Sequence, residues 1–344
     1  MPFRVRGHIA MATLGLMAAC VGSAHADKET PTPPPARKAV ERGLDFIEKD
    51  AAKWRADRQC STCHHGTMTV WALSEAKSRG YAVKAEMLAD MTKWTKDRLL
   101  ERIDLPRDKR PGWNMVNTPA VYLAIMAQAV PKQSEVSADE LKRIAGHLTR
   151  HQEVDGSWAW SLAPAKNRPP PVFESDEVVT LLAHLALAPH VPADPKEKSE
   201  ARDSQEKAAA WLNKAKPTET TQALAVRLFR DVRAGVPAKD LQPGIDRLLG
   251  RQNKDGGWAP EKDLPSDAFA TGQALYFLNQ AGVNSDRPEV QRGVTFLVTT
   301  QKGDGSWPMK SRSHPGATPM TNPVPITYFG SAWATLGLVR MVPR

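Results

Sequence analysis

Two of the chain's three cysteines lie in the run Cys60-Ser61-Thr62-Cys63-His64, where side-chain types and spacing could do chemistry. Read as C-x-x-C-H, it is the pattern by which a c-type haem is attached. Two thiols three positions apart can each form a thioether to a haem vinyl group, and the following histidine is placed to ligate the iron. Other readings exist. A Cys60–Cys63 disulfide suits an oxidising compartment, and a C-x-x-C pair can serve as a thiol–disulfide couple. That couple expects a βαβ setting, which the surrounding pattern lacks. A zinc site expects a second ligand pair, which no further cysteine supplies. His65 does not complete one, because adjacent residues on a helix point in different directions. One covalent haem c is therefore the expected cofactor, with Cys60 and Cys63 as its anchors and His64 as iron ligand.

The N-terminus agrees with attachment after export. Met1–Ala26 reads as a secretory signal, with Arg4 and Arg6, an apolar run Ile9–Val21 and the small-x-small site Ala24-His25-Ala26. The apolar run is too short for a membrane-spanning helix. A periplasmic protein is expected. A weak lipoprotein-like box, Leu16-Met17-Ala18-Ala19-Cys20, would tether it to a membrane only if Cys20 were lipidated. The Pro-rich stretch 27–36 would then be a semi-rigid linker. The formal net charge of +9 falls to +7 without the signal, because Arg4 and Arg6 leave and no acid does. Such a charge favours acidic partners. Lys and Arg are interspersed with Asp and Glu, and no basic patch carries interleaved aromatics, so nucleic acid is not an expected partner.

The elements that must position this run come from a repeat. Gln152-Glu-Val-Asp155-Gly156-Ser157-Trp158, Gln252-Asn-Lys-Asp255-Gly256-Gly257-Trp258 and Gln301-Lys-Gly-Asp304-Gly305-Ser306-Trp307 all read Q-x-x-D-G-[S/G]-W. Each follows an amphipathic stretch (Ala138–His151, Ala238–Arg251, Pro288–Thr300) and precedes a more apolar one (Asp176–Ala188, Asp267–Ala281, Thr327–Met341). Asp-Gly breaks the helix, Gln can bond carbonyls left open at the helix end, and Trp packs beside the turn. Three further pairs keep the rhythm without the signature: Arg37–Trp54 with Thr67–Arg79, Lys84–Ile103 with Met115–Val130, and Glu200–Lys214 with Thr220–Val232. In every pair the first helix is rich in charge and the second is apolar nearly all round. Six exposed and six buried helices in alternation predict two concentric rings, and no segment alternates with the period of a strand.

The repeated motif resembles the QW motif of squalene–hopene and oxidosqualene cyclases, and the paired helices resemble the α/α toroid those enzymes share with protein prenyltransferase β subunits. The resemblance runs from about Arg37 to Met341 and implies a single all-α, α6/α6 toroid domain over 37–344, with room for one such domain. It implies a catalytic acid only loosely. The cyclase D-x-D-D pattern is met by Glu174-Ser175-Asp176-Glu177, where Asp176 would be the acid. Ser175-Asp176 and Ser266-Asp267 each begin a buried stretch, which is also the signature of helix caps. Cyclases stabilise carbocations on aromatic faces, yet aromatic residues are 6% of the chain. The prenyltransferase metal-binding cysteine has no counterpart outside the C-x-x-C-H run. No catalytic residue is therefore assigned.

Aligning the buried stretches puts His64-His65 where Ser175-Asp176 and Ser266-Asp267 fall, so the haem is expected at the mouth of the toroid. Met320 or His314, both in the Pro-rich loop 308–325, is the first choice for a sixth ligand, with Met115 or an open position as alternatives; His184 reads as a satisfied core residue. The expected protein is an exported haem c electron-transfer or redox protein meeting a redox partner protein or small molecule. The rivals are a terpene cyclase-like or lipid-modifying enzyme with an apolar lipid in the cavity, and a non-enzymatic binding toroid.

Overall fold

Two kinds of helix alternate along the chain. One kind carries a single apolar stripe: α1 (Pro34–Arg58), α3 (Ala85–Ile103), α5 (Ala138–Arg150), α7 (Glu200–Lys214), α9 (Ala238–Leu249) and α11 (Pro288–Thr300). The other is buried nearly all round: α2 (Thr69–Ser78), α4 (Asn114–Ala129), α6 (Asp176–Leu187), α8 (Thr221–Arg233), α10 (Ala268–Gln280) and α12 (Val324–Met341). In α5 only Ile144, Ala145, His147 and Leu148 are buried, whereas every residue of α12 from Tyr328 to Val339 is. A helix with one stripe can satisfy it against a single layer, and a helix apolar on all sides needs neighbours on all sides.

The computed structural model describes residues 34–58, 61, 63–105, 114–159, 175–310 and 323–342, and among these it has no strand, only an isolated bridge between Gln252 and Trp258. The second-kind helices form a closed inner ring. Each packs on the next in chain order, and α12 returns onto α2. The first kind lies outside, and α1 closes the outer layer against α11 and α12. The expected α/α toroid is the observed fold. Residues 1–33, with the expected signal and most of the linker, lie outside the described residues. No helix among the described residues is long and apolar enough to cross a membrane.

Helix starts follow local chemistry. Ser137 caps α5 in a reciprocal capping box with Glu140, Ser199 caps α7, and Thr220 caps α8. The repeated motif works differently from its sequence reading. Gly156, Gly256 and Gly305 have φ of +95°, +87° and +89°, where a side chain would be strained. The open carbonyl of the preceding outer helix is met by Trp, not Gln: the indole N–H groups of Trp158, Trp258 and Trp307 donate to Leu148, Leu248 and Leu297 at 3.0, 2.8 and 2.8 Å. Gln instead staples its turn to the next outer helix. Gln152, Gln252 and Gln301 donate to the carbonyls of Ser204, Glu289 and Ala39.

Candidate functional site

The turn before α2 is π-helical, spanning Cys63–Met68. Such widened turns recur where a helix must present side chains in an unusual direction. Here both histidines turn inward. His64 is 8% exposed and His65 fully buried, and their Nδ1 atoms are in hydrogen-bond contact. The expectation that neighbouring residues point apart fails because the turn is not α-helical.

Residues from α1 and α12 complete the cluster. The Asp50 carboxylate lies 2.8 Å from His65 Nε2. The His65 ring stacks on Trp54 (centroids 4.4 Å, 8° between planes) and on Tyr328 (3.7 Å, 30°). His64 meets Trp54 edge-on at 4.8 Å. Thr69 Oγ1 donates to the His65 carbonyl at 2.9 Å and sits 2.5 Å from the Tyr328 hydroxyl, which also donates to the Ile47 carbonyl at 3.3 Å.

Burial sets the protonation states. It holds His64 well below the ordinary imidazole value, with His65 adding a smaller push the same way. It also lowers His65, against the opposing pull of Asp50. Burial pushes the Tyr328 phenol far up, so it stays a donor. With both imidazoles neutral, His65 Nε2–H donates to Asp50 and leaves His65 Nδ1 as acceptor. His64 must then donate its Nδ1–H to that atom, which places the His64 lone pair on Nε2. Asp50, His65 and His64 thus form one buried, hydrogen-bonded array with its imidazoles held neutral. A cleft of ≈ 540 Å³ lined by Asp50, Lys53, Trp54, Asp57, Arg58, Pro323 and Val324 opens beside it.

The array faces an aromatic column. His64 is 6.5 Å from Phe329, which is 6.1 Å from both Phe269 and Tyr122. Tyr122 leads to Trp71 and Trp333, these to Tyr276, and Tyr276 to Phe277, at centroid spacings of 5.2 to 6.2 Å. All of these belong to inner helices and all are buried. Scarcity of aromatic residues in the chain therefore coexists with their concentration on the axis. Deeper still, buried Glu75 pairs with Arg340.

The acidic pattern at α6 separates into roles. Glu174 lies outside the described residues. Ser175 is the cap, accepting from Val178 N at 3.3 Å, and Asp176 is the first helical residue. Glu177 accepts from Arg227 Nε and Thr218 N, both at 2.6 Å, and is a structural anchor between α6 and α8. In α10 the cap is Asp267, which accepts from Ala270 N. His184 is not the satisfied residue expected, since its Nδ1 is buried without a partner.

Of the expected ligands, only His64 has a described side chain. Cys60, Met320 and His314, and the side chains of Cys63 and Met115, lie outside the described residues. Among the described residues no group of three or more His, Cys, Asp or Glu could hold a metal ion. The array itself escaped the sequence reading. Asp50 and Tyr328 are remote from His65 in sequence, and the only local signal was the doubled histidine.

No protein-family model matches the chain. A protein named "probable squalene–hopene cyclase" from Sinorhizobium fredii is 24% identical over 325 residues, covering 88% of this chain and 44% of that protein. The chain spans less than half the length of the curated relatives it matches first. Among solved structures, a type II terpene cyclase from Scytonema, in complex with merosterolic acid A, superposes with a TM-score of 0.54 at 15% identity, covering 90% of this chain and 98% of that one. Unsaturated glucuronyl hydrolase from Bacillus sp. GL1 superposes with a TM-score of 0.58 at 15% identity, covering 89% and 96%. The fold is the α/α toroid that these solved structures share, and the sequence is similar to that of squalene–hopene cyclases. These likenesses overturn the expected haem c electron carrier, because they run to cyclases and toroid hydrolases. Haem, iron and electron transfer are withdrawn with it.

Proposed function

We propose that this chain is a cyclase-like toroid enzyme that performs acid–base chemistry on an apolar, isoprenoid-type substrate at the mouth of the inner ring. The observation that carries this reading is the buried Asp50–His65–His64 relay set against the aromatic column that begins at Phe329. Aromatic faces favour a cationic centre, and a neutral imidazole beside them can take the proton such a cation loses. In these roles His64 Nε2 accepts the proton, His65 passes the charge on, and Asp50 holds His65 in one tautomer. Trp54 and Tyr328 fix the His65 ring by stacking. The likeness to a squalene–hopene cyclase and to a terpene cyclase supports the substrate class.

The test is incubation of the purified chain with squalene and with farnesyl and geranylgeranyl diphosphates, reading products by mass spectrometry. Turnover is expected to fall by about 10²-fold or more in Asp50→Asn and His64→Ala, in the range of lost general acid–base catalysis. Unchanged turnover in both variants, or no conversion of any apolar substrate, would reject the proposal.

A further inference from the structure

A second concavity lies away from the histidine cluster, between the Trp258 and Trp307 repeats. It is a groove of ≈ 490 Å³ bounded by the loop that leads into α10 and by the end of α11 with the turn that follows it. Its floor is apolar. Trp307 and Met309 are buried beneath it, Phe296 is half-buried, and Leu264 is 38% exposed in a chain that exposes few large apolar side chains among its described residues.

The polar lining is occupied with internal tasks, with two exceptions. Asp267 turns its carboxylate to Ala270 N at 2.8 Å as the α10 cap. Ser266 donates to Asp255 at 2.8 Å, and Thr300 donates to the Phe296 carbonyl at 2.7 Å. Lys302 and Lys310 are exposed and, like most lysines among the described residues, make no ion pair there. An apolar trough with two unpaired ammonium groups on its rim, its one lining carboxylate, Asp267, being engaged as the α10 cap, suits an apolar tail with an anionic head.

We propose that this groove binds a single-chain anionic amphiphile, its tail over Trp307, Met309 and Leu264 and its headgroup between Lys302 and Lys310. The site is separate from the relay and does not depend on the reaction assigned to it. The pocket size falls in the range of small-molecule sites, where apolar walls give affinity and a few polar groups fix orientation.

The experiment is calorimetric titration of the full chain with dodecyl phosphate below its micelle concentration, alongside dodecyltrimethylammonium and inorganic phosphate. Dodecyl phosphate is expected to bind at one saturable site. The double variant Lys302→Glu/Lys310→Glu should weaken it by about tenfold or more, since two attractive charges become repulsive. Both positions are exposed, so the fold is kept, and Leu264→Asp supplies an independent weakening from the tail side. Inorganic phosphate should give no heat. Equal affinity for the cationic amphiphile, phosphate binding as tightly as dodecyl phosphate, or an unaffected double variant would each overturn the proposal.

Discussion

Two buried glutamates show how the same side chain is driven in opposite directions by its neighbours. At Glu177 burial alone would raise the carboxyl, but the hydrogen bonds from Arg227 and Thr218 outweigh it and hold the group below its ordinary value. At Glu75 burial dominates, and Arg340 and Arg79 offset it only in part, so the group is raised. The linkage signs differ accordingly. Glu177 contributes stability that is present above its unfolded value and lost as pH falls through the depressed folded one. For Glu75 the native state binds the proton more tightly. Its contribution is present at low pH and is lost as pH rises from the ordinary value, near 4.5, through the raised one. Urea midpoints from about pH 3 to 8 would separate them. Glu177→Gln should flatten the acid limb, and Glu75→Gln should remove a decline on the higher-pH side. A Glu75→Gln profile parallel to that of the parent chain would contradict the assignment. Neither role was legible in the sequence. Glu177 reads there as the end of an acidic run, and its partner Arg227 lies on the next inner helix.

At the scale of elements, the repeat was legible and its wiring was not. Gln, Asp-Gly and Trp announce a turn between an amphipathic and an apolar helix, because the glycine conformation and the helix period are local properties. The boundaries were close for the same reason, although α12 starts at Val324 rather than Thr327 and α1 extends to Arg58. What each polar atom bonds to depends on the neighbouring repeat, which no local pattern encodes. Gln301 is the clearest instance, since its neighbour is the first helix of the chain. It donates to the Ala39 carbonyl at 2.9 Å and accepts from Arg42 Nη2 at 2.6 Å. Gln301→Leu therefore removes the staple between the two ends of the ring. A loss of about 0.5–1.5 kcal/mol is expected, the net worth of a hydrogen bond at a part-buried site. Hydrogen exchange should quicken in α1 as well as in α11. Gln152→Leu should instead quicken exchange in α5 and α7, because its staple reaches Ser204. Exchange confined to α11 in the Gln301 variant would deny that the third repeat closes the ring.

For the whole molecule, the aromatic column is buried along its length, and two of the helices that carry it meet at one close approach. The histidine relay depends on this, because Tyr328 and Phe329, which contact the histidines, ride on the same helix as Trp333 deep in the column. That helix, α12, is set against α10 at Gly272 and Gly337. A Cβ added at Gly272 would lie 2.3 Å from the Trp333 carbonyl oxygen, and one at Gly337 would lie 2.7 Å from the Gly272 carbonyl oxygen. Both obstacles are helix backbone, which cannot swing aside as a side chain can. Gly272→Ala must therefore move α12 as a unit, shifting Trp333 in the column and Tyr328 at the His65 ring together. Overpacking of this kind costs about 1–3 kcal/mol or more. The useful readout is the coupling: near-ultraviolet dichroism of the aromatic column should change along with a lower melting temperature, and turnover should fall although the residue touches no substrate. Gly303→Ala is the control, since nothing lies within 4 Å of an added Cβ there and its φ is not positive. It should change stability by no more than about 0.5 kcal/mol, as an ordinary surface substitution does. If Gly272→Ala matched that control, the close approach of α10 and α12 would not be what sets the column, and the relay would have to be positioned by α1 and the π-helical turn alone.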